Sequence, residues 1–232
     1  MKIYSLLLLI ILTCAITHKS SAQINEEKLG AWYMLFFDAK LKDKPFGVQG
    51  DIQYRNWNIA GDLEQLLIRG GVTYRPKKAN LKLTLGFANI TKGEFGEGKN
   101  TSNENRFYQE AILPHKVGER IYLNHRFRFE QRFVANQDFR TRYRYNLFVN
   151  IPLNNSKIIE NTVYLALYNE LFINGQRNIG NVSQVELFDR NRLYLGAGFA
   201  IKDNIKVQLG IMNQTTDSWK KNQLQVSLHT NF

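Results

Sequence analysis

Leu224-Gln-Val-Ser-Leu-His-Thr-Asn-Phe232 closes the chain, and its alternation decides how the rest is read. Apolar or neutral side chains stand at 224, 226, 228, 230 and 232, and polar ones at 225, 227, 229 and 231. Side chains two apart share one face of a strand. This segment therefore has one face suited to an apolar medium and one suited to water. The same period runs upstream in Ile121-Tyr-Leu-Asn-His-Arg-Phe-Arg-Phe-Glu-Gln-Arg-Phe133. There Arg126, Arg128, Glu130 and Arg132 oppose Leu123, Phe127, Phe129 and Phe133. Residues 139–151 repeat the design, with Arg140, Arg142, Arg144, Asn146 and Asn150 against Tyr143, Tyr145, Leu147, Val149 and Ile151.

Weaker copies fill most of the remaining chain. Val48, Ile52 and Tyr54 oppose Asp51, Gln53 and Arg55, and Ile68, Val72 and Tyr74 oppose Arg69 and Thr73. Phe107, Ala111 and Leu113 oppose Arg106, Tyr108 and Glu110; Leu165, Leu167, Leu171 and Ile173 oppose Tyr168 and Glu170. Leu193, Leu195 and Phe199 oppose Arg190, Arg192 and Tyr194. After residue 16 no apolar stretch approaches the length of a membrane helix, whereas a barrel strand needs only about ten residues that are apolar on one face. The pattern predicts an all-β chain forming a single antiparallel transmembrane β-barrel, with a charged Arg/Glu lumen and an apolar face toward lipid. Short turns are expected near 76–80, 115–118, 153–157 and 202–204, and longer loops near 93–103, 174–184 and 213–222. Eleven segments can be traced back from the C-terminal strand, the first at residues 31–41. Because single-chain bacterial barrels usually have an even count, twelve strands are expected, with ten as the alternative.

The N-terminus fits export. Lys2 precedes an apolar run over residues 3–16, and Ser20-Ser21-Ala22 offers small residues for cleavage before Gln23. Residues 1–22 are thus expected to be a signal peptide and residues 23–232 one barrel domain. Cleavage would remove the single cysteine, Cys14, leaving neither a disulfide framework nor a thiol nucleophile. The net charge of +11 falls to +9 when Lys2 and Lys19 leave with the leader. A basic balance often points to nucleic acid, but here the cations follow strand parity and the aromatics mostly oppose them. Base-stacking platforms need the two interleaved, so nucleic-acid binding is disfavoured.

Two resemblances add to this reading. The terminal strand ending on Phe232 resembles the signal read by the bacterial outer-membrane barrel assembly machinery. The chain as a whole resembles an uncharacterised bacterial family, domain of unknown function 2490. The resemblance is carried by Leu66-Leu-Ile-Arg-Gly-Gly-Val-Thr-Tyr-Arg-Pro76, Glu104-Asn-Arg-Phe-Tyr-Gln109, His125-Arg-Phe-Arg-Phe-Glu-Gln-Arg132, Arg142-Tyr-Arg-Tyr145, Asn169-Glu-Leu-Phe172 and Asp189-Arg-Asn-Arg-Leu-Tyr-Leu-Gly196. It implies an outer-membrane barrel in a Gram-negative cell and brings no activity with it.

The residues expected inside are Arg55, Arg69, Arg106, Glu110, Arg126, Arg128, Glu130, Arg132, Arg142, Arg144, Glu170, Arg190 and Arg192, joined by Glu186. On the lipid face each arginine would cost roughly 2–4 kcal/mol near mid-membrane, and ten would exceed the usual 5–15 kcal/mol of stability. One reading makes them a network that fills the lumen. Another uses their surplus over acids to attract small anions into a passive channel. A third, a lipid hydrolase, rests on Ser227 and His229 sharing a face; His115, read as a turn residue, and His125, on the lipid-side parity, are poorer candidates. Neither a cofactor nor a metal is expected. The expected partners are outer-membrane lipids, the assembly machinery and small anions.

Overall fold

A computed structural model describes residues 27–96, 98–180 and 182–232; the expected leader, residues 1–22, lies outside them. The strands are β1 (Gly30–Lys40), β2 (Phe46–Asn56), β3 (Leu63–Tyr74), β4 (Lys82–Gly93), β5 (Thr101–Val117), β6 (Ile121–Val134), β7 (Arg140–Pro152), β8 (Thr162–Asn174), β9 (Phe188–Lys202), β10 (Ile205–Thr215) and β11 (Lys220–Asn231). They form one closed barrel in which sequence neighbours pair antiparallel. The expectation of twelve or ten strands is corrected to eleven among the described residues. Each periodic segment is a wall strand of its own; the even count came from a general habit of bacterial barrels, not from these residues. An odd number of alternating strands leaves the first and last running the same way. The seam between β1 and β11 is accordingly parallel, from Gly30↔Gln223 to Asp38↔Asn231. The wholly antiparallel expectation fails at that seam alone. Phe232 extends it, its N–H donating to the Asp38 carbonyl at 2.8 Å and its carbonyl accepting from Lys40 N–H at 2.9 Å.

One end carries the connectors 57–62, 94–100, 135–139, 175–187 and 216–219, called here the loop end. The opposite, turn end carries 41–45, 75–81, 118–120, 153–161 and 203–204. The contrast in length is smaller than expected. β10 and β11 run through most of the anticipated 213–222 loop, joined by a hydrogen-bonded turn that Thr216 and Trp219 close. β5 likewise continues through His115, placing that residue in a strand and not in a turn.

Parity separates the two faces. Outward residues include Val72, Leu85, Phe107, Phe127, Leu193, Leu195 and Leu209, each half exposed or more. An outward aromatic chain, Phe87–Phe107–Phe133–Phe139, runs from β4 through β6 to the 135–139 connector at centroid spacings of 5.3, 6.2 and 5.3 Å. Toward the loop end the outer surface turns polar, with amide pairs Asn89–Asn105, Asn169–Asn191 and Asn213–Asn222 at 2.8–2.9 Å. Inside, the apolar core is small: Trp32, Tyr164, Ala166, Tyr194 and Met212 form one cluster, and Leu67, Ala88 and Ile90 another.

Two inward glycines make room for tyrosines that lie flat against the wall. A Cβ on Gly86 would fall 2.2 Å from the Tyr108 ring, and one on Gly198 would fall 2.1 Å from the Tyr164 ring. Each tyrosine sits directly across from its glycine on the neighbouring strand. The vacant side-chain position lets the ring bend over the strand instead of standing into the lumen.

Candidate functional site

The interior has a solid loop-end half and a hollow turn-end half. The solid half is built by strand parity, which aims alternate residues of β5, β6 and β7 inward. Cross-strand register then sets Glu110 opposite Arg128, Glu130 opposite Arg142, Arg106 opposite Arg132, and Arg128 opposite Arg144. Like charges directly opposite destabilise a sheet, so the arrangement holds only because carboxylates bridge them.

Glu130 is the hub. It accepts from Arg142 Nε and Nη2 at 2.9 and 2.6 Å and from Arg144 Nη1 at 2.5 Å. Arg106 and Arg128 stand 3.7 and 4.0 Å from its carboxylate. Glu170 accepts from Arg126 at 2.7 Å and from Arg144 at 3.0 and 2.5 Å. Glu110 takes Gln49 at 2.8 Å and Arg128 through both Nε and Nη2. Glu104, nearest the loop end, binds Arg106 at 2.6 Å, Arg132 at 2.5 Å and Lys92 at 2.8 Å. Arginine suits this use because its planar fork carries five donors and reaches two acids at once.

Aromatic rings fill between the forks. The guanidinium groups of Arg144 and Arg192 lie 4.4 and 4.7 Å from the Phe172 ring centre, and that of Arg142 at 5.1 Å. Arg55 and Arg192 lie 3.8 and 4.7 Å from Trp32, whose indole N–H donates to Glu64 at 2.9 Å. Cation–π contacts of this kind are worth about 2 kcal/mol when desolvated.

Of the thirteen residues anticipated inside, Arg55, Arg69, Arg106, Glu110, Arg128, Glu130, Arg132, Arg142, Arg144, Glu170 and Arg192 are all buried. Arg126 is partly exposed, lying at the boundary of the hollow half. Arg190 is peripheral, held by its neighbour Asp189 at 3.1 Å. Glu186 is corrected: it lies in the 175–187 connector, 60% exposed, paired with Arg177 at 2.9 Å. A register shift between Phe172 and Ile173 breaks the parity of β8 and β9 just before it. Asp51 stood on the polar face in the sequence pattern but was not counted among the inner acids, and Glu104, Glu64 and Asp189 were passed over; the four bring the acids closer to balance with the arginines. Glu104 and Asp51 were available from parity; Asp189 pairs with Arg142 at 2.7 Å because the two side chains reach over β8, which lies between β7 and β9. Trp32 was missed because its segment alternates poorly.

The hollow half is a chamber of about 760 Å³ reaching toward the turn end. Its ceiling includes Arg126, Arg128, Arg144 and Asn146, and its lining stops short of Glu104, Arg106, Glu130, Arg132 and Arg142. One wall is aromatic: Tyr168 and Tyr194 stack at 4.9 Å, and Tyr168 exchanges hydrogen bonds with Gln225 at 2.9–3.0 Å. Ile158, from the 153–161 connector, folds inward against this wall. On β11, Ser227 Oγ lies 2.9 Å from His229 Nε2, and the imidazole stacks on Phe36 at 4.8 Å. Both residues line the chamber. His125 faces outward, with Nδ1 2.9 Å from the Tyr145 hydroxyl. Among the described residues no group of three His, Cys, Asp or Glu side chains is placed to hold a metal ion.

The sequence from residue 29 to 225 matches the family described as "Protein of unknown function (DUF2490)". The chain belongs to the DUF2490 family. The match runs from the entry of β1 to the middle of β11, so the DUF2490 unit is the barrel itself. An uncharacterised protein of Methylorubrum extorquens is 31% identical over 179 residues, covering 73% of this chain and 74% of the relative.

Proposed function

We propose that the protein is an exported outer-membrane β-barrel whose lumen is closed by an arginine–glutamate plug: a structural, non-conducting barrel with its chamber open toward one side. Support for the membrane setting comes from the outward apolar and aromatic band, which ends at a row of asparagine pairs toward the loop end. The secretory leader read in residues 1–22 and the terminal Phe232 on the seam fit the same setting. Under this reading the turn end, where β11 finishes, faces the periplasm, and outer-membrane lipids and the assembly machinery are the partners.

One observation carries the closed lumen: the plug carboxylates Glu104 and Glu130 are 1% exposed, and Arg132 and Arg142 4%. A water-filled channel through that level would leave its lining side chains wet. An anion-preferring pore is therefore the weaker reading. The test is conductance of the refolded protein in a planar bilayer under a salt gradient. Silence from a heat-modifiable, folded barrel is expected; steady anion-selective steps would overturn the proposal.

The Ser227–His229 contact favours a second reading, a lipid hydrolase working from the chamber. It supplies a nucleophile and a base, and phospholipid turnover abolished by Ser227→Ala with the barrel intact would establish it. Absence of turnover in the native protein would remove it.

A further inference from the structure

We propose that the turn-end chamber is a binding site for an anionic amphiphile, its charged group held near Arg126 and Arg128 and its apolar part laid along the Tyr168–Tyr194 wall. The inference rests on the closed-lumen reading, since only a plugged barrel has a chamber and not a passage.

Three independent features point the same way. First, the size: about 760 Å³ lies within the roughly 300–1,000 Å³ of pockets that enclose small ligands. Second, the ceiling presents a guanidinium to the chamber. Arg126 lines it with a side chain 14% exposed, more than any plug arginine. An anionic head group there would meet a donor that is not sealed inside the plug. Third, the two ends of the barrel differ in charge. The turn-end connectors hold seven Lys and Arg against four Asp and Glu, whereas the loop-end connectors hold two against six. The mouth that opens on the chamber thus attracts anions.

Lys157 and Lys206 line the chamber, and neither has an ion pair among the described residues; Lys206 Nζ donates to the Asp203 carbonyl at 2.9 Å. They stand apart from the plug, so their charge can be removed without disturbing the fold. The wall beside these lysines is aromatic and thioether, with Met34 and Ile158 partly buried against the Trp32 cluster. Such a surface takes an acyl chain or a ring, not a bare inorganic ion.

The experiment uses the protein refolded into phosphatidylcholine vesicles, with Trp57 and Trp219 replaced by Phe so that Trp32, on the chamber wall, is the sole tryptophan donor. The probe is 8-anilinonaphthalene-1-sulfonate, read by energy transfer from Trp32 and compared with the uncharged N-phenyl-1-naphthylamine. Saturable, near 1:1 transfer to the sulfonate is expected. Lys157→Gln with Lys206→Gln should weaken it about tenfold or more, at roughly a tenfold change per 1.4 kcal/mol. Met34→Trp, which narrows the chamber beside the Trp32 cluster, should weaken sulfonate binding measured by the probe's own fluorescence. Competition by vesicles containing phosphatidylglycerol would assign a membrane lipid as the source of the anion; competition only by soluble alkyl phosphates would assign a diffusible one. Absence of saturable binding, equal binding of the uncharged probe, or an affinity unchanged in the lysine variant would overturn the proposal. In a barrel shown to be non-conducting, those results would leave the plug standing; a conducting barrel would overturn both.

Discussion

Glu130→Gln should be the most damaging single isosteric change in the barrel. The substitution keeps the shape of the side chain and one acceptor oxygen, but removes the charge toward which four guanidinium groups converge. Arg142 and Arg144 donate to it at 2.5–2.9 Å, and Arg106 and Arg128 lie within 3.7–4.0 Å. The new amide also turns two N–H groups toward donors that have nothing to accept with. Breaking a buried ion pair from one side typically costs about 3–5 kcal/mol. Here each arginine keeps a second acid: Arg142 keeps Asp189 at 2.7 Å, Arg144 keeps Glu170, Arg106 keeps Glu104 and Arg128 keeps Glu110. The expected loss therefore sits at the lower end, about 3 kcal/mol. Urea unfolding of the refolded barrel in uncharged vesicles, followed by tryptophan emission and heat-modifiable migration, measures it. Adding Arg144→Gln should return part of the loss by removing one of the four cations that converge on position 130, so the pair should be non-additive. A single-variant loss below about 1 kcal/mol, or simple additivity in the double variant, would refute the hub role.

Leu85→Arg, on the exposed outer face of β4, should cost about 2–4 kcal/mol in lipid vesicles, whereas Asn89→Arg near the loop-end rim should cost about 1 kcal/mol or less. Equal costs, measured by the same urea titration, would count against a membrane band between these levels. Gly198→Ala places a methyl where Tyr164 lies 2.1 Å away, so the ring must leave the wall at a cost of about 1–3 kcal/mol. Tyr164→Ala in the same chain should relieve most of that strain. The triple variant Glu130→Ala, Arg142→Ala, Arg144→Ala removes the centre of the plug, and a silent barrel should become conducting in a planar bilayer. Continued silence from a folded triple variant would mean that the closure lies elsewhere.

Much of the wall was legible because strand parity is a local property. The alternation in residues 121–133, 139–151 and 224–232 fixes which side chains share a face within a segment, whatever that segment pairs with. That is why the eleven segments coincide with β1 to β11, and why nearly all the anticipated arginines lie inside. Parity failed where the local period is interrupted: the shift at Phe172–Ile173 sends Glu186 out into a loop, and Trp32 sits in a strand with little alternation.

Sequence alone thus determined an all-β chain with a charged face, an apolar face and membership in the DUF2490 family. Tertiary structure decided how the sheet closes and what its interior becomes. The parallel seam joins residues nearly two hundred positions apart, and no local pattern encodes that pairing or its register. The division into plug and chamber is likewise a matter of closure. Whether Arg142 reaches over β8 to Asp189, or Trp32, paired with Arg55 across the β1–β2 register, also takes Arg192 from β9, depends on side chains of strands that do not pair with each other. Parity puts a charge inside; only the circumference of the closed sheet determines which opposite charge it meets and how much space is left over.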